Sequence, residues 1–379
     1  MDHPSAKILR RPNIKLHLKM NPNFSATYSD ARGKFLEAGL RAHVPVEHHH
    51  HPLKGPSGEL LATDVARVGP MDARDVLIVL SSTHGIEGYA GSGAQVNLLG
   101  HLHSTLGSGQ AAVLVHAIDP YGFAWTRRVN EDNVDLNRNF VDHEGGNYPE
   151  NDLFDRLAEH IIPAQWDDVS VAQCVAAREA IAREVGEEEV RKAIGKGQYR
   201  HPTNVHFGGT FATWSNRTLD AVCRAQLANA RNALLVDVHT GLGPYGYGEL
   251  MTPAKPGDPV FETLRGCFHD QVHSTTAGTT AYFGSKGSIL AGFRPAIGAV
   301  NFSAVGLEFG TIERSAVRRA VEAETWLHVH GDLSSPQGLQ IKKNMRAAFY
   351  PEKADWQEAV LQRVNEVVKL ALDGLRAKF

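Results

Sequence analysis

Cysteine is scarce in this chain of 379 residues: Cys174, Cys223 and Cys267 are odd in number and far apart. Neither a disulfide framework nor a thiolate zinc site can be built from that spacing. Charge of one sign is scarce too. The 39 Lys and Arg nearly balance the 42 Asp and Glu, a net of −3, which leaves no basic sheet for nucleic acid and no polybasic patch for a membrane. No run of about 20 apolar residues occurs, so no helix is expected to cross a bilayer. The N-terminal stretch is dotted with Lys and Arg and lacks the apolar centre of a secretion signal; the expected location is the cytoplasm. With 42% hydrophobic and 21% charged residues, the composition excludes disordered and fibrous classes.

What the chain holds in quantity is histidine, 20 residues in all. Four of them, His48 to His51, are consecutive and precede Pro52. They read as a solvated loop in preference to a metal site. The other histidines of interest are best placed after the chain has been divided into elements. Residues 1–24 are polar and basic and read as a lead-in, with one domain over residues 25–379. Apolar runs at 60–68, 75–82, 112–118, 233–239 and 299–309 predict strands, the continuous ones buried on both faces. Helical spacing marks 25–42, 93–106, 169–193, 219–231, 315–328 and 355–376. Strand–helix alternation of this kind predicts an α/β fold: a mixed, largely parallel twisted sheet with helices on both faces. The charged, helical stretch at about 144–197 reads as an insertion between sheet elements.

In open α/β sheets ligands gather at the carboxyl ends of strands, and four strand ends here carry chemistry. The first gives Thr83-His84-Gly85-Ile86-Glu87-Gly88. The second is followed by Arg127-Arg128 and then Asp135-Leu136-Asn137-Arg138-Asn139-Phe140. The third gives Asp237-Val238-His239-Thr240-Gly241, and the last Leu307-Glu308-Phe309-Gly310. Each block alone is a weak signal. Their conjunction, together with an acid inside the apolar run at Glu308, which is costly to bury without a partner, raises the odds.

A catalytic zinc takes three His or carboxylate ligands and keeps one position for water. His84, Glu87 and His239 supply such a set, one ion per chain, although these ligand types also suit other divalent ions. Glu308 is then the candidate general base and Arg128 the group that stabilises a developing oxyanion. Asn137 and Arg138 suit a substrate carboxylate. Asp135 is the candidate to accept the outer N–H of His84.

These blocks resemble the zinc carboxypeptidase (funnelin) superfamily. The resemblance implies the same assignment: His84, Glu87 and His239 on zinc, Glu308 as base, Arg128 polarising the carbonyl (its Val129-Asn130 context favours it over Arg127), and Asn137 and Arg138 on a terminal carboxylate. Further blocks, Gly197-Gln-Tyr-Arg-His-Pro202, Phe207-Gly-Gly209 and Trp214-Ser-Asn216, are similar to a bacterial carboxypeptidase-like branch of mostly unassigned function, related to succinylglutamate desuccinylase and aspartoacylase. The likeness runs from about residue 24 to about residue 372. The substrate-capping Tyr of digestive relatives has only a positional counterpart, Tyr282, and His201 and His206 are candidates for the pocket wall or for outer roles.

The implied activity is a zinc-dependent hydrolase that cleaves an amide next to a free carboxylate in a small peptide or amino-acid conjugate. The runner-up is an N-acyl-amino-acid deacylase. A reading of another class is a non-catalytic zinc or ligand-binding protein, against which Glu308 speaks. A serine hydrolase is disfavoured, because no Gly-x-Ser-x-Gly elbow follows a predicted strand.

Overall fold

The computed structural model describes residues 20–277, 280, 284–294 and 300–377. Most of the 1–24 lead-in, the first residue of the strand expected at 299–309, and Tyr282 therefore lie outside the described residues. Among the described residues eight strands form one sheet: β1 Val46–Lys54, β2 Leu60–Val68, β3 Asp75–Leu80, β4 Gln110–His116, β5 Asn232–Tyr245, β6 Gly248–Thr252, β7 Val272–Ser274 and β8 Asn301–Gly310, in the order β1-β2-β4-β3-β5-β8-β6-β7. The central four, β4, β3, β5 and β8, run parallel. β2 and β6 flank them antiparallel. The sheet is mixed and largely parallel, as the alternation of apolar runs and helical spacing requires.

Alternation within the central strands builds two cores. Leu77 and Val79 of β3 face one side, packed with Tyr89, Leu98, Val360 and Val364 from the helices Gly88–Leu99 and Ala354–Ala377. Val76, Ile78 and Leu80 face the other, packed with Leu219 and Val222 of the helix Trp214–Gln226. Successive strand side chains point to opposite faces, so a strand covered on both sides must be apolar throughout. No described helix is long and apolar enough to cross a membrane.

Several expectations need correction. The His48–His51 stretch is not a solvated loop but lies in the edge strand β1, where Pro52 sits at a break in the pairing between His50 and Lys54. An edge strand or a bulge is where a sheet tolerates proline. His51 is buried against the Trp214 ring, with its Nε2 3.3 Å from Glu131. The helix expected at 219–231 starts earlier, because Thr213 caps it by accepting the amide N–H of Asn216. The single helix expected at 169–193 is two, Asp168–Val185 and Glu187–Lys196, separated by Gly186 at φ +98°. That conformation is strained for any residue with a Cβ. Phe154, Leu157, Ile161, Val190 and Ile194 give the 144–197 stretch a small core of its own.

His116, the last residue of β4, is fully buried, stacked on Phe35 with its Nε2 2.9 Å from Ser92 Oγ. Burial pushes its pKa down from 6.5 to about 4. A base with a depressed folded-state pKa contributes stability that is complete above the unfolded value and is lost as pH falls from about 6.5 towards 4. Between pH 7.5 and 5 the loss from this one group is expected to be roughly 2 kcal/mol. Urea unfolding at the two pH values checks it: His116→Gln should lose less stability on acidification than the unmodified protein, and equal losses would contradict the assignment.

Candidate active site

β3 leads into a single tight turn, Gly85–Glu87, which brings His84 and Glu87 onto one side; residues three apart eclipse in such a turn. The turn lies hard against the backbone of Gly122, where a Cβ on Gly85 would stand 2.1 Å from the Gly122 carbonyl carbon. Only glycine permits that approach. On the neighbouring strand β5, Asp237 and His239 share a face, two residues apart, and β8 places Glu308 directly opposite His239. β3 and β5 are adjacent, so His84 and His239, 155 positions apart in sequence, meet at the same end of the sheet with ring centroids 5.0 Å apart.

Glu87 bridges the two imidazoles. Its Oε1 lies 2.8 Å from His84 Nδ1 and its Oε2 2.7 Å from His239 Nδ1. One donor atom from each of the three residues falls within 4.8 Å of the others. Behind the rings, the outer nitrogens meet acids: His239 Nε2 is 2.7 Å from Asp237 Oδ2, and His84 Nε2 is 3.1 Å from Asp135 Oδ1. Thr83 Oγ1 donates to the other oxygen of Asp237 at 2.7 Å. A hydrogen held on His239 Nε2 by Asp237 would leave the Nδ1 lone pair for a metal, which is how a carboxylate behind a histidine orients it; at His84 the Nε2 faces both the Asp135 carboxylate and the Arg128 Nη2, 2.7 Å away. Two inward imidazole nitrogens and a carboxylate are a donor set that fits zinc.

Charge follows the geometry. Burial opposes ionisation of Glu87, but His84 and His239 hold its pKa down to about 2. Burial likewise opposes protonation of His239, yet Asp237 and Glu87 keep its pKa well above the ordinary value. Asp135 is fully buried and still held well below the carboxylate range by Arg128, Arg138 and His84. Glu308 differs. Burial and the negative charge of Glu87 push it up to about 8, and its Oε1 accepts the Leu242 amide N–H at 2.9 Å. A dication in the Glu87 cage would draw that value down.

His84, Glu87, His239 and Glu308 line one cavity of about 340 Å³, together with Arg128, Asn137, Arg138 and His206. The adjacent arginines diverge. Arg127 turns away to a buried pair with Glu324 (3.0 Å), which Lys342 also holds at 2.7 Å. Arg128 faces the cavity, with Nη1 on Asp135 and Nη2 2.7 Å from His84 Nε2. Arg138 is almost fully buried and donates to the carbonyls of Asn137 (2.7 Å) and Gly195 (2.6 Å). Asn137 Oδ1 accepts the Ile289 amide, leaving its side-chain NH₂ towards the cavity. His206, at φ +55°, shares Asp135 with His84 through its Nδ1 at 3.2 Å. His201 instead pairs with Asp155 outside the cavity.

The family described as "Protein of unknown function (DUF2817)" matches residues 24–363. The chain belongs to that family. No curated protein matches it. Among solved structures, it is similar to bovine thrombin-activatable fibrinolysis inhibitor at 13% identity, over 92% of this chain and 98% of that one, TM-score 0.43. It is also similar to the murein-tripeptide amidase MpaA of Escherichia coli O157 at 15% identity, over 78% and 91%, TM-score 0.31. A third is a protein of Shewanella frigidimarina named for succinylglutamate desuccinylase/aspartoacylase, at 14% identity, over 80% and 70%, TM-score 0.37.

Sequence reasoning assigned no role to Asp237, although its spacing of two from His239 on a strand is a legible signal. Nor did it find the outer wall of the cavity, which includes Arg191, Arg314 and Arg318. If Asp237 orients His239, Asp237→Ala should weaken binding of a divalent ion by about 10–100-fold, whereas Arg127→Gln should leave that affinity in place. Chelator competition measures both, and an unchanged affinity in Asp237→Ala would remove Asp237 from the account.

Proposed function

We propose that the protein is a metal-dependent amidohydrolase, with zinc as the ion, that cleaves an amide next to a free carboxylate in a small peptide or amino-acid conjugate. The observation that carries this reading is the position of Glu308. It stands opposite His239 across one strand pair, lines the same cavity as the His84–Glu87–His239 cluster, and has no ion-pair partner among the described residues. A carboxylate kept buried beside a cation cage, without a salt bridge, suits proton transfer better than structural support.

His84, Glu87 and His239 would hold the ion through Nδ1, a carboxylate oxygen and Nδ1. When bound, zinc supplies Lewis acidity that polarises a carbonyl and eases deprotonation of water. Glu308 takes a proton from the attacking water and returns it to the leaving nitrogen as the C–N bond breaks, so the amide ends as a carboxylate and an amine. Arg128, anchored by Asp135, offers further guanidinium N–H groups to the oxygen on which negative charge develops. The Asn137 amide and the Arg138 guanidinium take the substrate's carboxylate.

A cavity of about 340 Å³ is of small-molecule size. Ile194 and Gly195 of the 144–197 stretch form part of its wall, which favours short substrates and keeps N-acyl amino acids as a second reading beside dipeptides. Glu308→Gln is expected to lower kcat by about 10²–10⁴-fold while the protein still binds one zinc per chain. Release of free amine from a panel of dipeptides and N-acyl amino acids, with metal content measured alongside, tests this. Full turnover in Glu308→Gln would overturn the mechanism.

A further inference from the structure

One imidazole of the cavity wall takes no part in that chemistry. His206 lines the cavity from a turn, with its backbone in the left-handed region at φ +55°. A residue with a Cβ holds that conformation at a cost, where its surroundings fix it. Here they do. The His206 carbonyl accepts the Gln198 amide N–H at 3.1 Å, and the next carbonyl, that of Phe207, accepts the Asp135 amide N–H at 2.7 Å. The side chain is tied to the same residue: Nδ1 lies 3.2 Å from Asp135 Oδ2. Arg128 Nη1 donates to that oxygen as well and lies 3.3 Å from Nδ1, as two donors converging on one acceptor do. Asp135 is ionised despite its burial, held low by Arg128 and Arg138, and a carboxylate can only accept. The imidazole hydrogen therefore sits on Nδ1, and burial, which lowers the His206 pKa to about 4, keeps the ring neutral.

Nε2 is left with a lone pair. It makes no hydrogen bond among the described residues and is not sealed from solvent, so it opens on the cavity. Arg128, Asn137 and Arg138, the groups assigned to the substrate's oxygens, all donate; beside Arg128, His206 supplies an acceptor. In an extended chain the N–H and C=O of one residue point to the same side. A substrate whose scissile carbonyl oxygen rests on Arg128 therefore turns any N–H on its acyl-side α-carbon towards the same wall. We infer that His206 is a substrate-binding residue whose Nε2 accepts that N–H. The inference rests on the amidohydrolase reading and adds to it a residue that tells an acyl group carrying an α-nitrogen from a plain one.

The test uses pairs of ligands that share the scissile amide and the terminal carboxylate and differ at the acyl-side α-nitrogen: N-acetylglycylalanine against O-acetylglycolylalanine, and glycylalanine against propanoylalanine. Calorimetry on the full-length, zinc-loaded Glu308→Gln protein gives the affinities. At least one nitrogen-bearing ligand should bind about tenfold more tightly than its twin, the effect of leaving one buried acceptor unpaired. Adding His206→Gly or His206→Ala removes the acceptor, the first without straining the left-handed backbone, and each should bring that ratio to within about twofold. If both pairs bind within twofold before His206 is changed, or if the ratio survives in either truncated variant, His206 does not read the N–H. Release of alanine from the same four compounds by the unmodified protein, with and without chelator, judges the parent reading separately: absence of metal-dependent release would overturn that reading, while the binding ratios would still decide the role of His206.

Discussion

Everything around the cavity is organised by one buried carboxylate held between two imidazoles. Glu87 lies between the Nδ1 atoms of His84 and His239. Three ionisable groups removed from water would be a poor source of stability in themselves, since the cost of desolvation offsets much of the Coulomb gain. The surroundings counter that cost at each point. Asp237 and Asp135 stand behind the rings, Thr83 steadies Asp237, and Arg128 offsets Asp135. The result is a cage whose donor atoms point inward and whose outward atoms all have partners, the arrangement expected when a cation is the intended centre.

The sheet makes the cage possible. β3, β5 and β8 are adjacent and parallel, so their carboxyl ends open on the same side and residues far apart in sequence arrive together. The connection from β3 leads to β4 on one side, while β5 and β8 lie on the other, and a crevice opens where the chain changes direction. The register does the finer work. Pairing His239 with Glu308 sets that carboxylate beside the cage, and a slip of one residue would turn Glu308 to the opposite face of the sheet.

Much of this was legible in the sequence for definite reasons. Continuous apolar runs identify the central strands because both faces are covered. Glu308 stands out because an acid in such a run is expensive to bury. His84 and Glu87 follow a strand at the spacing of one tight turn. Other features were hidden. The strand β1 reads as polar because it lies at the edge, and β6 and β7 are too short for alternation to show. The helix Pro336–Phe349 begins with a capping Ser335 and a proline at its first position, signals that are easily read as a loop when no strong apolar stripe follows. The outer wall could not be read at all. Arg191 and Arg314 lie on separate helices more than a hundred positions apart, and exposed arginines on helices look alike until packing brings them together. Arg127 and Arg128 make the same point in miniature: identical neighbours, one of which is claimed by Glu324 and the other by the cavity.

The central claim is that one cation sits among the Nδ1 atoms of His84 and His239 and the carboxylate of Glu87. Crystals of the protein grown with zinc and measured on both sides of the zinc absorption edge would test it most directly. The account predicts a single anomalous peak, about 2.0–2.2 Å from each of those three donors. A peak elsewhere, or zinc bound through the Nε2 atoms with Asp237 and Asp135 displaced, would contradict it.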